Sequence, residues 1–287
     1  MKTVWVFGDQ LNRRIGALGT ATPPTTRVLM VESKAMLDGR RFHRQRLHLV
    51  VAAMRRFAAE LSRAGFEVDY RHAADLAEGF REHRAEFAPD EVVATEPNSR
   101  TVAALTERLD VRLVRSNQFL CHPDDFGGWA GTRHSLRMED FYRWQRRRLG
   151  YLMDGAEPAG GAWNFDRDNR LPVPRGGGDW VTPPRTRLDG LDREVLKELP
   201  SNLPGVDPVG WWATSRRGAL QRLRHFVKEV LPGFGPHEDA MTHTNWHLAH
   251  SMLSPYLNLG LLLPEEVCDA VEQAYRAGRV PINSAEG

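Results

Sequence analysis

The chain has 287 residues, 41% of them hydrophobic and 26% charged, the balance of a soluble globular protein long enough for two modest domains. Lys and Arg number 39 against 37 Asp and Glu, a net charge of +2, so there is no overall basic field and any nucleic-acid surface has to be a local patch. Cys121 and Cys268 lie far apart and outside any Cys-x-x-Cys pair, which argues against a disulfide framework and against a metal site built from this chain's thiols. The first residues run straight into a strand pattern with no signal core, and no apolar run approaches the ~18 residues of a membrane span. The expected setting is the reduced cytoplasm, with no membrane partner.

Residues 3–7 (Thr-Val-Trp-Val-Phe) read as a buried strand that ends in Gly8, Asp9 and Gln10, and residues 27–31 as a second that ends in Glu32 and Ser33. Leu47, Val50, Val51, Met54, Phe57, Ala58 and Leu61 recur at helical spacing and predict a helix over 42–64, stopped by Gly65. A third strand at 66–70, a helix from about Asp75, a fourth strand at 91–95, a helix from Ser99 to Leu109 and a fifth strand at 111–114 complete the pattern. Strands alternating with helices predict an α/β domain: an open, mostly parallel, five-stranded Rossmann-like sheet over residues 1–120. Ligands of such sheets sit beyond the carboxyl ends of the strands, where Gly8, Asp9, Gln10, Glu32 and Ser33 fall. No Gly-x-Gly-x-x-Gly is present, and Gly8 serves a tight turn equally well.

From 121 to 209 glycines and prolines mark a long connector, rich in aromatics and with one helix predicted at 135–153. Arg143, Arg146, Arg147 and Arg148 on that helix form either a solvated charged face or a strip for DNA phosphates. Beyond Gly210 the periodicity is helical: Ala219, Leu220, Leu223, Phe226, Val227, Val230 and Leu231 line a helix ended by Pro232-Gly233, and Pro264 opens a last helix closed by Gly278. Between them, residues 250–260 read His-Ser-Met-Leu-Ser-Pro-Tyr-Leu-Asn-Leu-Gly. Ser254 before Pro255 suits a helix N-cap, whose free backbone N–H groups suit a phosphate equally.

Residues 250–260 resemble the flavin-phosphate motif of the photolyase/cryptochrome family, usually Thr-Ser-x-Leu-Ser-Pro-x-Leu-x-x-Gly, with His250 standing where Thr is usual. Residues 234–241 (Phe-Gly-Pro-His-Glu-Asp-Ala-Met) and 6–12 (Val-Phe-Gly-Asp-Gln-Leu-Asn) resemble the bacterial iron–sulfur branch, associated with repair of (6-4) photoproducts. The resemblance implies FAD as cofactor, held by Gly235, His237, Asp239, His250, Ser251, Met252, Leu253 and Ser254. It implies a ribityl-lumazine antenna at Gly8, Asp9, Gln10, Glu32 and Ser33, and UV-damaged DNA as partner of a monomeric enzyme. Two helices and a motif loop are too few to enclose an apolar core, so residues 210–287 are expected to be the beginning of an all-α FAD-binding domain. The contacts to the flavin ring, the lesion-pocket residues and the cysteines of a four-iron four-sulfur cluster are expected only in a full-length form. No metal ligands are expected in this chain. The reading is a light-driven (6-4) photolyase, with a cryptochrome-like flavin photosensor or an inactive truncated fragment as the alternatives.

Overall fold

A computed structural model describes residues 1–39 and 42–287, and its chain divides into two compact units. Unit 1 comprises Met1–Gln118, Arg185–Ala219 and Tyr256–Leu262; unit 2 comprises Phe119–Pro184, Leu220–Pro255 and Leu263–Gly287. Residues 185–219, which the composition assigns to the connector and the head of the helical segment, pack with unit 1.

Unit 1 is built on a sheet of β1 (Lys2–Val6), β2 (Thr26–Ser33), β3 (Glu67–Ala73), β4 (Val92–Thr95) and β5 (Arg112–Val114). The strands are parallel in the order β3-β2-β1-β4-β5, with Val4 opposite both Val28 and Val93. Val4, Trp5, Val28, Leu29, Met30, Val93 and Ala94 are buried, as apolar strands covered on both faces require. β3 runs to Ala73 rather than residue 70 because it pairs with β2 as far as Ser33; its polar Arg71 and His72 hid that extension from the apolar pattern.

Short α1 (Gly16–Gly19) and α2 (Lys34–Asp38) follow β1 and β2, and α3 (Arg44–Arg63), α4 (Leu76–Phe87) and α5 (Arg100–Arg108) are the longer crossovers. Asp75 caps α4 through a bond from Glu78 N–H at 2.8 Å. α3 is buried on more than its predicted stripe, since His48 and Leu49 are covered while Val50 is only half-buried. Leu47, Val51 and Ala52 pack against Val195 and Leu199 of a helix inside the glycine- and proline-rich stretch. One polar chain crosses the core: the Thr3 hydroxyl faces His83 Nε2 at 2.9 Å, and His83 Nδ1 faces Asp69 at 2.6 Å.

In unit 2, α6 (Pro123–Ala130) and α7 (Met138–Leu149) bring Phe126, Trp129, Phe141 and Trp144 into one aromatic cluster. Gly150, at φ 80°, ends α7 at Leu149, short of the predicted residue 153. The buried side chain of α7 is Arg146, whose guanidinium donates to the carbonyls of Tyr151, Leu152 and Trp163. β6 (Met153–Asp154) and β7 (Glu157–Pro158) form a small antiparallel pair.

α8 (Gly190–Glu198) is the helix that covers α3 in unit 1. α9 (Arg216–His225) continues into a wider π turn at Phe226–Val230 and a tight turn at Leu231–Gly233. α10 (Ser254–Asn258), α11 (Pro264–Arg276) and α12 (Ile282–Glu286) complete the chain. On α11 Ala274 is the fully buried residue. No helix among the described residues is long and apolar enough to cross a membrane, and no group of three metal-ligating side chains occurs among them.

Candidate functional site

Two places collect the residues singled out by sequence. The first is the turn before α10. Residues 241–253 form turns and irregular chain held by side chains. The Asn245 carboxamide oxygen accepts from His247 N–H at 2.9 Å and Leu248 N–H at 2.7 Å, an Asx-type turn. His250 closes the loop: its backbone N–H donates to His247 O at 3.0 Å, and its Nε2 lies 3.3 Å from Ala240 O.

Leu248 and Met252 flank His250 and Ser251 in the left-handed region, at φ 47° and 56°. Side chains with a Cβ rarely adopt that conformation, which costs about 1–3 kcal/mol per residue and clusters at ligand clamps. Ser251 is half-buried; its Oγ accepts from Leu253 N–H at a long 3.4 Å and retains its own O–H for donation. α10 takes in Ser254 as its first residue, not as the cap expected from Ser-Pro. Buried Leu253 occupies the cap position and anchors the turn, while Ser254 is exposed. So short a helix contributes little dipole, which leaves the hydroxyls and loop N–H groups as the polar donors of this turn.

The neighbouring segment is differently employed. Gly235 N–H donates to Ser284 Oγ of α12 at 2.8 Å, and a Cβ on Gly235 would fall 2.8–2.9 Å from Asn283, Ser284 and Asn169. That glycine is needed for close approach to α12. His237 stands edge-on to Trp180 at 5.1 Å and near Leu171 O at 3.4 Å. Asp239 is exposed; burial raises the pKa of adjacent Glu238, opposed by a hydrogen bond from Asn169 and reinforced by Asp239, Glu286 and Asp166. The structure therefore gathers Ser251–Ser254 into one turn and uses Gly235 and His237 in packing.

The second place is the sheet's switch point, where β1 leads to β2 on one side and β4 lies on the other. Gly8 packs against Met54, whose sulfur would lie 3.0 Å from an added Cβ. The Asp9 carboxylate accepts from Asn98 Nδ2 at 3.0 Å, and Gln118 Nε2 donates to Asp9 O at 2.7 Å. Burial raises the Asp9 pKa, with the Asn98 bond opposing. Gln10 is buried and donates to Glu96 O at 2.9 Å. At the end of β2, Glu32 is already saturated: Arg55 donates to both its oxygens at 3.1 and 3.0 Å, and Tyr70 O–H to one at 2.7 Å. Burial and the Glu32 charge push the Tyr70 hydroxyl pKa up, and Arg55 also pairs with Glu198. Ser33 caps α2 through Met36 N–H at 3.2 Å. Sequence reasoning missed Arg55, Tyr70, Asn98 and Gln118, whose roles exist only through partners remote in the chain.

A parallel sheet of Rossmann order and a segment of helices that includes the serine turn define an α/β protein. The model of the family described as "Deoxyribodipyrimidine photo-lyase-related protein" matches residues 4–206, and the chain belongs to that family. A curated (6-4) photolyase of Agrobacterium fabrum is 35% identical over 304 residues, covering 99% of this chain and 59% of the relative. Among solved structures, a bacterial class III photolyase from Agrobacterium tumefaciens has a TM-score of 0.59 at 20% identity, over 99% of this chain and 55% of its own. A Synechocystis cryptochrome has 0.62 at 13%, over 99% and 57%. The chain thus spans less than two thirds of the length of these relatives.

Proposed function

We propose that this chain is the part of a light-dependent repair enzyme for (6-4) pyrimidine photoproducts that carries the antenna domain and the flavin-phosphate turn. In this reading residues 1–120 are the antenna domain, 121–209 the connector and 210–287 the first part of the FAD-binding domain. The observation that carries it is the turn at 251–254, where a left-handed Met252 separates two serines, in a chain of this family. FAD, when bound, supplies the light-driven electron for a pyrimidine lesion taken out of the duplex. The turn's residues fit that cofactor's diphosphate: residues 250–254 hold two hydroxyl donors and no acidic side chain. Ser251 and Ser254 donate their hydroxyls and the N–H of Met252 assists; Leu253 N–H, which donates weakly to Ser251 Oγ, joins them by giving up that long bond.

For damaged DNA, the row on α7 reduces to fewer arginines than four. Arg146 is buried, Arg143 pairs with Glu139 at 2.7 Å, and Arg148 bonds Leu120 O. Exposed Arg147, stacked 4.5 Å over Trp163, is the one best placed for a phosphate. Photolyase and cryptochrome folds match alike, so the fold does not separate repair from sensing; the identity to a curated (6-4) photolyase supports repair.

The test is a polarisation titration of FAD against the 287-residue chain, followed by competition with ADP. Weak FAD binding that ADP displaces is expected, because the diphosphate side is what the turn recognises. FAD that stays bound against excess ADP would contradict the assignment.

A further inference from the structure

The loop that leads into the serine turn is held against its own backbone preference. Leu248 lies in the left-handed region at φ 47° with its side chain buried. A leucine keeps such an angle only where its surroundings over-determine it. Asn245 supplies that constraint. Its carboxamide oxygen accepts from His247 N–H at 2.9 Å and from Leu248 N–H at 2.7 Å. The second of these bonds pins the peptide unit that joins His247 to Leu248. The carbonyl of the same unit, His247 O, accepts from His250 N–H at 3.0 Å, and Ser251 follows directly. The orientation of the carboxamide is also set. His247 is 5% exposed and faces Leu248 O through Nδ1 at 3.0 Å; a carbonyl only accepts, so Nδ1 carries the proton. Nε2 is then an acceptor, and Asn245 Nδ2 stands 3.5 Å from it. Both ends of the Asn245 carboxamide are thus engaged inside the loop.

We propose that Asn245 is the positioning residue of the serine turn: it holds residues 247–250 in the ligand-ready form before any phosphate arrives and does not touch the ligand. This rests on the diphosphate reading above. Without Asn245 the strain at Leu248 is released, and the population of the ready turn falls tenfold or more. Ligand then meets a competent site in only that fraction of molecules, so association slows by the same factor. Once bound, the ligand keeps its wild-type contacts, and its dissociation rate is unchanged. Loss of a residue that touches the ligand would instead speed dissociation.

The experiment is stopped-flow fluorescence of mant-ADP with the full chain and with Asn245→Ala, Asn245→Gln and Asn245→Asp, in about 0.5 M salt to screen the added aspartate charge. Alanine removes the acceptor. Glutamine is one methylene too long to close the same turn and covers the case in which alanine impairs folding; aspartate keeps an oxygen at the same reach. Association is expected to slow at least tenfold in the alanine and glutamine variants and to recover to within threefold of wild type in the aspartate variant, with dissociation within twofold throughout. Wild-type association in both the alanine and glutamine variants, faster dissociation in either, or no recovery with aspartate overturns the role of Asn245 and leaves the diphosphate reading standing. A wild-type chain that does not bind mant-ADP overturns both.

Discussion

Asp192→Ala is expected to destabilise unit 1 by about 3–5 kcal/mol, the cost of removing one partner from a buried charge cluster. Asp192 is 2% exposed at the first turn of α8 and accepts from Arg56 at 2.9 Å, Thr214 Oγ1 at 3.2 Å and Asp189 N–H at 3.0 Å. Buried His48 of α3 lies 3.3 Å away. Removing the carboxylate leaves Asp189 as the one charged partner of the Arg56 guanidinium among the described residues, beside the Thr214 hydroxyl, and opens the capping box formed by Asp189 and Asp192. Burial by itself raises the Asp192 pKa, but the facing His48 ring, the Asp189 backbone and Arg56 outweigh it and hold the carboxyl far below its ordinary 3.8. A depressed folded value means the unfolded chain takes up the proton first. The contribution is thus complete above about pH 4 and is lost as pH falls toward the folded value. Hydrogen exchange across α3 and α8 reads the effect locally. Protection that falls by less than tenfold in Asp192→Ala, under about 1.4 kcal/mol, would contradict the predicted cost.

Arg146→Met is expected to cost unit 2 about 2 kcal/mol or more, because Tyr151 O and Trp163 O lose the donor that the buried arginine supplies, at about 1–3 kcal/mol each, while Leu152 O keeps its bond from Ala159 N–H. The guanidinium reaches Trp163 O at 3.0 Å and also bonds Leu152 O, and it lies 5.3 Å from the Trp163 ring. It ties the end of α7 to the chain that follows. Arg146→Lys is expected to recover only part of the loss, since an ammonium lacks the planar fork that meets separated carbonyls. Exchange of the amides over 151–165 is the readout. Equal protection in wild type and Arg146→Met would show that the arginine's bonds to these carbonyls add nothing to the stability of unit 2.

Much of the fold was legible. Continuous apolar runs marked the central strands because both faces of a parallel sheet are covered, and Gly65, at φ 90°, stops α3 where its missing Cβ implies. α8 was hidden by the glycines and prolines around it, although Asp189 and the spacing of Leu191, Val195 and Leu199 carry a helix signal. Polar residues are the harder class. His48, Arg146 and Asp192 look solvent-facing by type, and only partners far along the chain, at 192, at 163 and at 56, make their burial tolerable. At the candidate sites, the order Ser-x-x-Ser-Pro pointed to a turn with two hydroxyls, but the left-handed Met252 that shapes it has no sequence signature. The missing Cβ of Gly235 admits α12, a contact between segments remote in the chain that no local pattern announces. Asn245 escaped notice because the N–H groups that its carboxamide takes are visible only once the loop is placed.

The central claim is that the serine turn grips a diphosphate. Repeating the FAD titration with the Ser251→Ala, Ser254→Ala double variant tests it most directly, since both hydroxyls are at least partly accessible and the buried anchor Leu253 is untouched. The account predicts an affinity for FAD and for ADP lowered at least tenfold, with the thermal unfolding midpoint unchanged. An affinity equal to that of the wild type would contradict it.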